Sequence, residues 1–244
     1  WRFDLSGCPV ANAQRQIAAS LALAARLDRD DMNPEKHMLQ TSWNRCWSGL
    51  GAQGDGAAVM QKLIEAYSEP QRKYHTLQHL AECLSLFSQH LHVAAEPDAV
   101  EMALWFHDAI YDVTGHDNEA RSAAWAQDQL CASGVTATRA AGVKQLILAT
   151  RHAALPEGLD QQLLVDIDLA ILGSTRDRFM EYEVQVRAEY AWVAQATFQE
   201  KRAQVLAGFL ARQPIYNTEP LREALERQAR ENIAYSLQRL DCGG

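Results

Sequence analysis

The chain has 244 residues, of which 48% are hydrophobic, and its 31 acidic residues outnumber 23 basic ones to give a net charge of −8. This length and apolar content suffice for one sizeable core. The acidic balance argues against charge-driven binding to extended nucleic acid or an anionic membrane, and no apolar run approaches the roughly 20 residues of a transmembrane helix.

The N-terminal segment differs in character from the rest of the chain. Residues 11–27 predict an alanine-rich amphipathic helix, and the charged stretch 28–34 that follows ends in a proline. The order of charged, apolar and small residues is not that of a secretory signal. We interpret residues 1–37 as an N-terminal appendage and residues 38–244 as a single helical domain that begins at Met38.

Downstream of residue 56, apolar residues recur at three- and four-residue spacing, and no alternating strand segment of useful length is found. The glycine-rich stretch 49–56 lacks the Gly-Lys-Ser/Thr of a phosphate-binding loop and predicts an ordinary loop. The predicted helices span residues 57–67, 76–92, 97–111, 118–132, 136–152, 160–172, 174–194, 197–213 and 220–240. The sequence therefore predicts an all-α fold, whose long C-terminal helices offer a surface for a homodimer.

The five cysteines are odd in number and scattered, with no CxxC pair: Cys8, Cys46, Cys83, Cys131 and Cys242. This usage predicts reduced thiols in a cytoplasmic protein and neither a disulfide framework nor a thiolate metal site.

Histidines are concentrated between residues 72 and 108, which hold five of the eight in the chain. His75 and His79 are four residues apart and would share one face of a helix. His107 and Asp108 are adjacent in an apolar run and offer a nitrogen and an oxygen to a common point. Each histidine alone fits a hydrogen-bonded core residue. Their convergence with a carboxylate favours a site for Mn, Fe, Co, Ni, Mg or Zn, because an unpaired charge there would be costly.

A second unusual feature is a pair of carboxylates, Asp166 and Asp168, inside the apolar stretch 163–172. Buried carboxylates need cationic or hydrogen-bonding partners. One interpretation is helix capping with an ion pair to Arg176 or Arg178. The other is that one of the two aspartates completes the metal site.

Four motifs occur in the order YHTLQH (74–79), WFHDAIYD (105–112), NEARSA (118–123) and DIDLAILG (166–173). This order resembles that of the HD superfamily of metal-dependent phosphohydrolases. The sequences of the motifs are similar to those of a branch of predicted HD phosphohydrolases. The resemblance runs from about residue 38 to residue 240 and implies an HD-domain-like helical bundle. It implies the following metal ligands, with Asp166 competing for the last place: His79, His107, Asp108 and Asp168.

The resemblance also implies catalytic roles. YHxxxH is similar to the cyclic-nucleotide phosphodiesterase motif, in which the first histidine, here His75, protonates the leaving oxygen. Asp112 or Glu119 is then expected to orient the attacking water. Many related enzymes have an acidic residue or a histidine where this chain has Tyr111, which places a second metal site in doubt.

Cationic and imidazole side chains near these motifs are the candidate substrate contacts: Arg72, Lys73, His116, His152 and Arg187. The expected function is hydrolysis of a phosphate ester of a small molecule or nucleotide by metal-activated water. The alternative is a non-catalytic module that uses the same pocket for nucleotide or metal sensing or for protein interaction.

Overall fold

A computed structural model describes residues 34–152 and 154–242. These residues form ten α-helices and no strand, so the predicted all-α class is confirmed. The helices are α1 (Pro34–Gly49), α2 (Ala57–Tyr67), α3 (Leu77–His90), α4 (Pro97–Phe106), α5 (Asn118–Ala132), α6 (Ala137–Ala149), α7 (Leu159–Asp168), α8 (Arg176–Glu189), α9 (Gln195–Ala211) and α10 (Glu219–Cys242). Short 3₁₀ segments, Leu91–Val93 and Leu169–Gly173, follow α3 and α7.

The chain divides into a unit Trp1–Thr41 and a unit Ser42–Gly244. Of the first unit only residues 34–41 are described, and they form the beginning of α1. The boundary inferred between residues 37 and 38 falls within α1 and stays a prediction. The helix inferred for residues 11–27 lies outside the described residues. None of the described helices combines the length and the apolar character that crossing a bilayer requires.

Helix α4 is the centre of the larger unit. Its residues 99–106 are all buried, so the helix is enclosed on every side and not amphipathic. Helices α3, α5, α6 and α7 all pack against it. The C-terminal α10 packs against α9 and against the 3₁₀ segment after α7. The ends of α3, α4 and α7 that carry the histidine and aspartate motifs are therefore held by the most buried part of the fold.

The end of α4 is where the structure departs most usefully from the sequence expectation of one helix over 97–111. The helix ends at Phe106. The peptide N–H of Asp108 donates to the Tyr67 hydroxyl at 3.3 Å, and the Arg72 guanidinium donates to the Asp108 carbonyl at 2.6 Å. Side chains from elsewhere thus take up the backbone groups that another helical turn would pair. The His-Asp motif lies at a helix terminus as a result.

Helix α4 also contains a fully buried carboxylate, Glu101. The Ser42 hydroxyl donates to Glu101 at 2.7 Å, and Arg45 Nε donates to it at 2.8 Å. Replacing Glu101 by alanine should lower the free energy of unfolding by about 2–3 kcal/mol, because the partly exposed Arg45 would lose its partner next to the core. Urea denaturation measures this change. The exposed Glu223→Ala serves as the control and should stay within about 0.5 kcal/mol of the parent. Equal effects of the two substitutions would contradict the assigned role of Glu101.

Candidate metal centre

Three helix ends bring the predicted ligands together. His79 is in the first turn of α3, His107 and Asp108 follow the last residue of α4, and Asp168 is the last residue of α7. The two histidines are almost fully buried, whereas the Asp108 and Asp168 side chains are 18% and 14% exposed. The cluster therefore has a buried base of imidazoles and an edge of carboxylates that reaches the surface. We call these four residues the metal cluster.

The donor atoms of the metal cluster are close to one another. His79 Nε2 lies 3.1 Å from His107 Nε2, and these two nitrogens lie 3.5 and 3.1 Å from Asp108 Oδ2. Asp168 Oδ1 lies 3.4 Å from His79 Nε2 and 3.5 Å from His107 Nε2. Donors about 2.0–2.2 Å from one divalent cation are about 3.0–3.5 Å apart. Each of these distances is therefore of the size found between two ligands of one cation.

The imidazole of His107 has its tautomer set for ligation. Its Nδ1 lies 2.8 Å from the carbonyl oxygen of Leu104, which can only accept a hydrogen bond. Nδ1 therefore donates, and the lone pair of Nε2 points into the cluster when the ring is neutral. A hydrogen bond of this kind fixes ring orientation and increases the basicity of a metal-binding histidine.

Cys83 is a neighbour that the sequence interpretation excluded from any metal site. His79, Cys83 and His107 form a buried group that could hold a metal ion. The Cys83 Sγ atom lies 3.7 and 3.8 Å from the two ring nitrogens of His79. Because it is equally far from both nitrogens, it flanks the ring and does not share the direction of Nε2. The sequence signal for this contact was the spacing of Cys83 four residues after His79, which places both side chains on one face of α3.

The electrostatics of the cluster favour a bound positive charge. Burial alone would raise the pKa of Asp168, but hydrogen bonds from three imidazoles, His107 foremost, hold it well below its usual range. Burial alone would lower the pKa of His79, but the Cys83 sulfur and the bond to Asp168 raise it to about 10. Protons on the imidazoles therefore balance the carboxylates. A cation at the same position would replace those protons.

Asp166 and Asp168, the two candidates for the last ligand position, have different partners. Asp166 is fully buried and accepts four hydrogen bonds, two from Asn217 and two from Thr218, at 2.6–2.9 Å. These bonds tie α7 to the segment before α10. Asp168, two residues later, faces His79 and His107. Asp166 therefore has a structural role, as the first interpretation held, but through the donors of Asn217 and Thr218 and not through helix capping or an ion pair to Arg176 or Arg178.

His152, a predicted substrate contact, also lies at the cluster. Its Nε2 is 3.3 Å from Asp168 Oδ2, the carboxylate oxygen on the other side from the two histidines. The residue has a φ of 53°, a left-handed conformation that is unfavourable for a side chain with a Cβ. Its Nδ1 is buried without a hydrogen-bond partner among the described residues. Backbone strain of this kind concentrates at functional sites.

His75 is held beside the cluster by a residue that no sequence signal indicated, Glu189 at the end of α8. Nδ1 of His75 lies 2.8 Å from Glu189 Oε2, and the Tyr111 hydroxyl donates to the same oxygen at 2.8 Å. The rings of Tyr111 and His75 are stacked with centroids 4.1 Å apart. Since the carboxylate accepts, His75 Nδ1 donates, and Nε2 has no hydrogen bond to any residue that the structure describes. Tyr111 is the position at which the sequence differs from the HD motif. Through its stacking and its bond to Glu189, it helps to orient His75, the predicted general acid.

The other oxygen of Glu189 organises the backbone before α3. It accepts the peptide N–H groups of Lys73, Tyr74 and His75 at 2.8, 2.8 and 3.1 Å. These donors are more than a hundred residues away in the sequence, so no local pattern could have indicated the contact. Glu189 joins α8 to the entry of α3 and fixes both the main chain and the side chain of His75.

Glu189 should make the stability of the protein sensitive to acid. Its burial opposes ionisation, but His75 and the peptide N–H groups lower its pKa from 4.5 to about 2. A carboxyl whose pKa is lower in the folded state stabilises the fold above its unfolded pKa and loses that contribution as the pH falls. The contribution of about 3 kcal/mol is therefore present at pH 6 and lost toward pH 2. Denaturation at pH 6 and pH 3 should show a smaller acid loss for Glu189→Gln, and equal losses would contradict this assignment.

Three predicted site residues lie in or after the exposed turn that precedes α5. Asp112 accepts hydrogen bonds from the Thr114 backbone and hydroxyl, which lower its pKa and close the turn. Within the described residues, no hydrogen bond or ion pair connects Asp112, His116 or Glu119 to the metal cluster. Their roles as water-orienting groups or substrate contacts stay predictions without a supporting contact.

The predicted cationic substrate contacts are largely engaged in structural bonds. Arg72 has no exposed side-chain area and donates to Glu69 and to the carbonyls of residues 75, 108 and 109. Arg187 donates to Gln195 and to the carbonyls of residues 190 and 193, so it shapes the turn after α8. Lys73 is exposed and donates to the Pro70 carbonyl. Arg72 therefore supports the His-Asp backbone, and its geometry does not fit a substrate contact.

Comparison of the chain with known protein families, curated proteins and solved structures found no match. The resemblance to HD phosphohydrolases therefore rests on the four sequence motifs and stays a prediction.

Proposed function

We propose that the protein is a metal-dependent phosphohydrolase that cleaves a phosphate ester of a small molecule or nucleotide. The observation that carries the proposal is the convergence of two imidazole nitrogens and two carboxylate oxygens beside a third, oriented imidazole. A purely structural metal site has no need for His75. A binding module has no need for a group that fixes the direction of its free nitrogen.

The cation that the cluster would hold supplies two effects, a lower pKa for water and compensation of the charge that develops on the phosphoryl group. Its four protein ligands would be His79, His107, Asp108 and Asp168. Two carboxylates and two imidazoles suit Mn²⁺, Fe²⁺, Co²⁺, Ni²⁺ or Mg²⁺, and they leave free positions on a six-coordinate ion. The same four ligands would close the sphere of tetrahedral zinc.

Residues of the chain have separate tasks in this proposal. His75, 22% exposed and oriented by Glu189, donates a proton from Nε2 to the leaving oxygen. His152, at the outer oxygen of Asp168, is placed to meet the phosphate. Buried Tyr67 and Arg72 hold the main chain around the His-Asp motif, so the ligands need little reorganisation when substrate binds.

A substrate survey tests the proposal. The protein, loaded in turn with Mn²⁺, Fe²⁺, Co²⁺, Ni²⁺, Mg²⁺ or Zn²⁺, would be assayed against 4-nitrophenyl phosphate, bis(4-nitrophenyl) phosphate and a set of nucleotides. We expect metal-dependent release of product that Asp108→Ala abolishes. Binding of a phosphate ester without turnover under any of these metals would overturn the proposal and favour the sensing or interaction module.

We also propose a cytoplasmic location, in line with the free thiols among the described cysteines, Cys46, Cys83 and Cys131.

A further inference from the structure

A cavity of about 370 Å³ borders the metal cluster, and nothing in the proposed chemistry accounts for it. Its volume falls at the lower end of the range for pockets that bind small molecules. His79, Cys83 and Asp168 form one part of its wall. A molecule in the cavity would therefore contact two residues that also belong to the metal cluster.

The wall of the cavity carries no unbalanced charge away from the cluster. Among the described wall residues away from the cluster, the one cationic residue is Arg178. It donates through Nε and Nη2 to the carboxylate of Glu82 at 2.7 and 3.0 Å, and Glu82 is itself part of the wall. Nη1 of Arg178 donates to Gln185 at 3.1 Å. Aliphatic side chains, including Leu86 and Ile171, make up much of the remainder. An uncharged, mainly apolar group suits such a wall, since a charged one would lose its hydration without gaining a partner.

One polar group on the wall lacks a partner. Tyr74 is 4% exposed, and its hydroxyl makes no hydrogen bond to any described residue. Its ring is held by the rings of His79 and Tyr182, at centroid distances of 4.8 and 4.5 Å. Buried hydroxyls are nearly always hydrogen-bonded. This hydroxyl has less than 1 Å² of exposed surface, so Tyr74 meets the cavity through its ring.

We propose that this cavity binds the alcohol portion of the phosphate ester, and that this portion is an uncharged, mainly apolar ring system. The assignment rests on the proposed function, because it assumes that the phosphate of the same molecule is cleaved at the metal cluster. It predicts a preference for aryl or other ring-bearing esters over small aliphatic esters and over substrates whose leaving group is charged.

Binding of 2-naphthol, an uncharged bicyclic alcohol, tests the cavity without any hydrolysis. Fluorescence titration of the metal-loaded protein should show saturable binding that Ile171→Trp reduces at least about tenfold by filling the cavity. Val184→Trp, at a 68% exposed position on α8, is the matched control and should bind like the parent. If Ile171→Trp unfolds at a lower temperature than the parent, Leu86→Trp, at another part of the wall, is used in its place.

Kinetics with 2-naphthyl phosphate and methyl phosphate then connect the cavity to the substrate. We expect a KM at least about tenfold lower for the naphthyl ester, and Ile171→Trp should remove this difference. Hydrolysis of both esters with equal KM values would overturn the cavity assignment and leave the phosphohydrolase proposal intact. Saturable naphthol binding with no ester hydrolysed under any metal would overturn the proposed function together with the substrate assignment. Naphthol binding unchanged by Ile171→Trp and by Leu86→Trp would show that the cavity is not the site.

Discussion

Replacing Asp168 by asparagine is expected to remove the bound cation, whereas the same substitution at Asp166, two residues earlier, should leave it in place. Asp168 Oδ1 faces both imidazoles of the cluster, and an amide in its place removes the negative charge that a divalent cation requires. We expect a loss in metal affinity of at least about a hundredfold. Turnover should fall with occupancy.

Asp166→Asn is the matched control because it should lower the stability of the fold and leave metal binding intact. Its carboxylate accepts from both the backbone and the side chains of Asn217 and Thr218, and an amide nitrogen would face one of these donors. The free energy of unfolding should fall by about 2–3 kcal/mol while one equivalent of metal is retained. Titration with Mn²⁺, followed by calorimetry and by urea denaturation, measures both quantities. A variant pair in which Asp166→Asn loses the metal and Asp168→Asn keeps it would reverse the assignment.

The second large effect concerns His75 and the residue that orients it. Replacing His75 by alanine should lower turnover by about 10²–10⁴-fold, the usual contribution of a general acid, while metal content is unchanged. Replacing Glu189 by glutamine should lower kcat by about 10–100-fold, because the His75 Nδ1–H loses its ionised acceptor. Glu181→Gln, at an exposed position on the same helix, is the control and should behave like the parent.

The split between kcat and KM separates positioning from simple structural damage. If Glu189 acts through His75, its substitution should lower kcat with KM and metal content close to those of the parent, because only the proton transfer by His75 is affected. Tyr111→Phe keeps the stacking on His75 and loses one hydrogen bond, so it should cause a smaller change in the same direction. Complete loss of metal in His75→Ala would instead make His75 a ligand.

The helices were predictable from the sequence because their signals are local. Helices α2 and α5 begin and end at the inferred residues, where apolar periodicity and neighbouring turn residues agree. The termination of α4 at Phe106 was not predictable. It depends on Tyr67 and Arg72, which lie 41 and 36 residues before Asp108 and reach its backbone only in the folded chain.

The same distinction applies to the candidate site. The four cluster residues are visible in the sequence because imidazoles and carboxylates are unusual within apolar helices. Glu189 is one acidic residue among many in a polar helix, and only the fold shows that it is buried against His75. Arg72 looked like a substrate contact because it is cationic and adjacent to the motif, yet the fold requires its guanidinium for backbone carbonyls.

Elemental metal content per chain, measured on protein purified without chelator beside the Asp108→Ala variant, tests the central claim most directly. The donor distances predict about one equivalent of a divalent cation in the parent and none in the variant, with helix content retained in both. Absence of metal from the parent after reloading with Mn²⁺, Fe²⁺, Co²⁺, Ni²⁺, Mg²⁺ and Zn²⁺, or full occupancy in Asp108→Ala, would contradict the account.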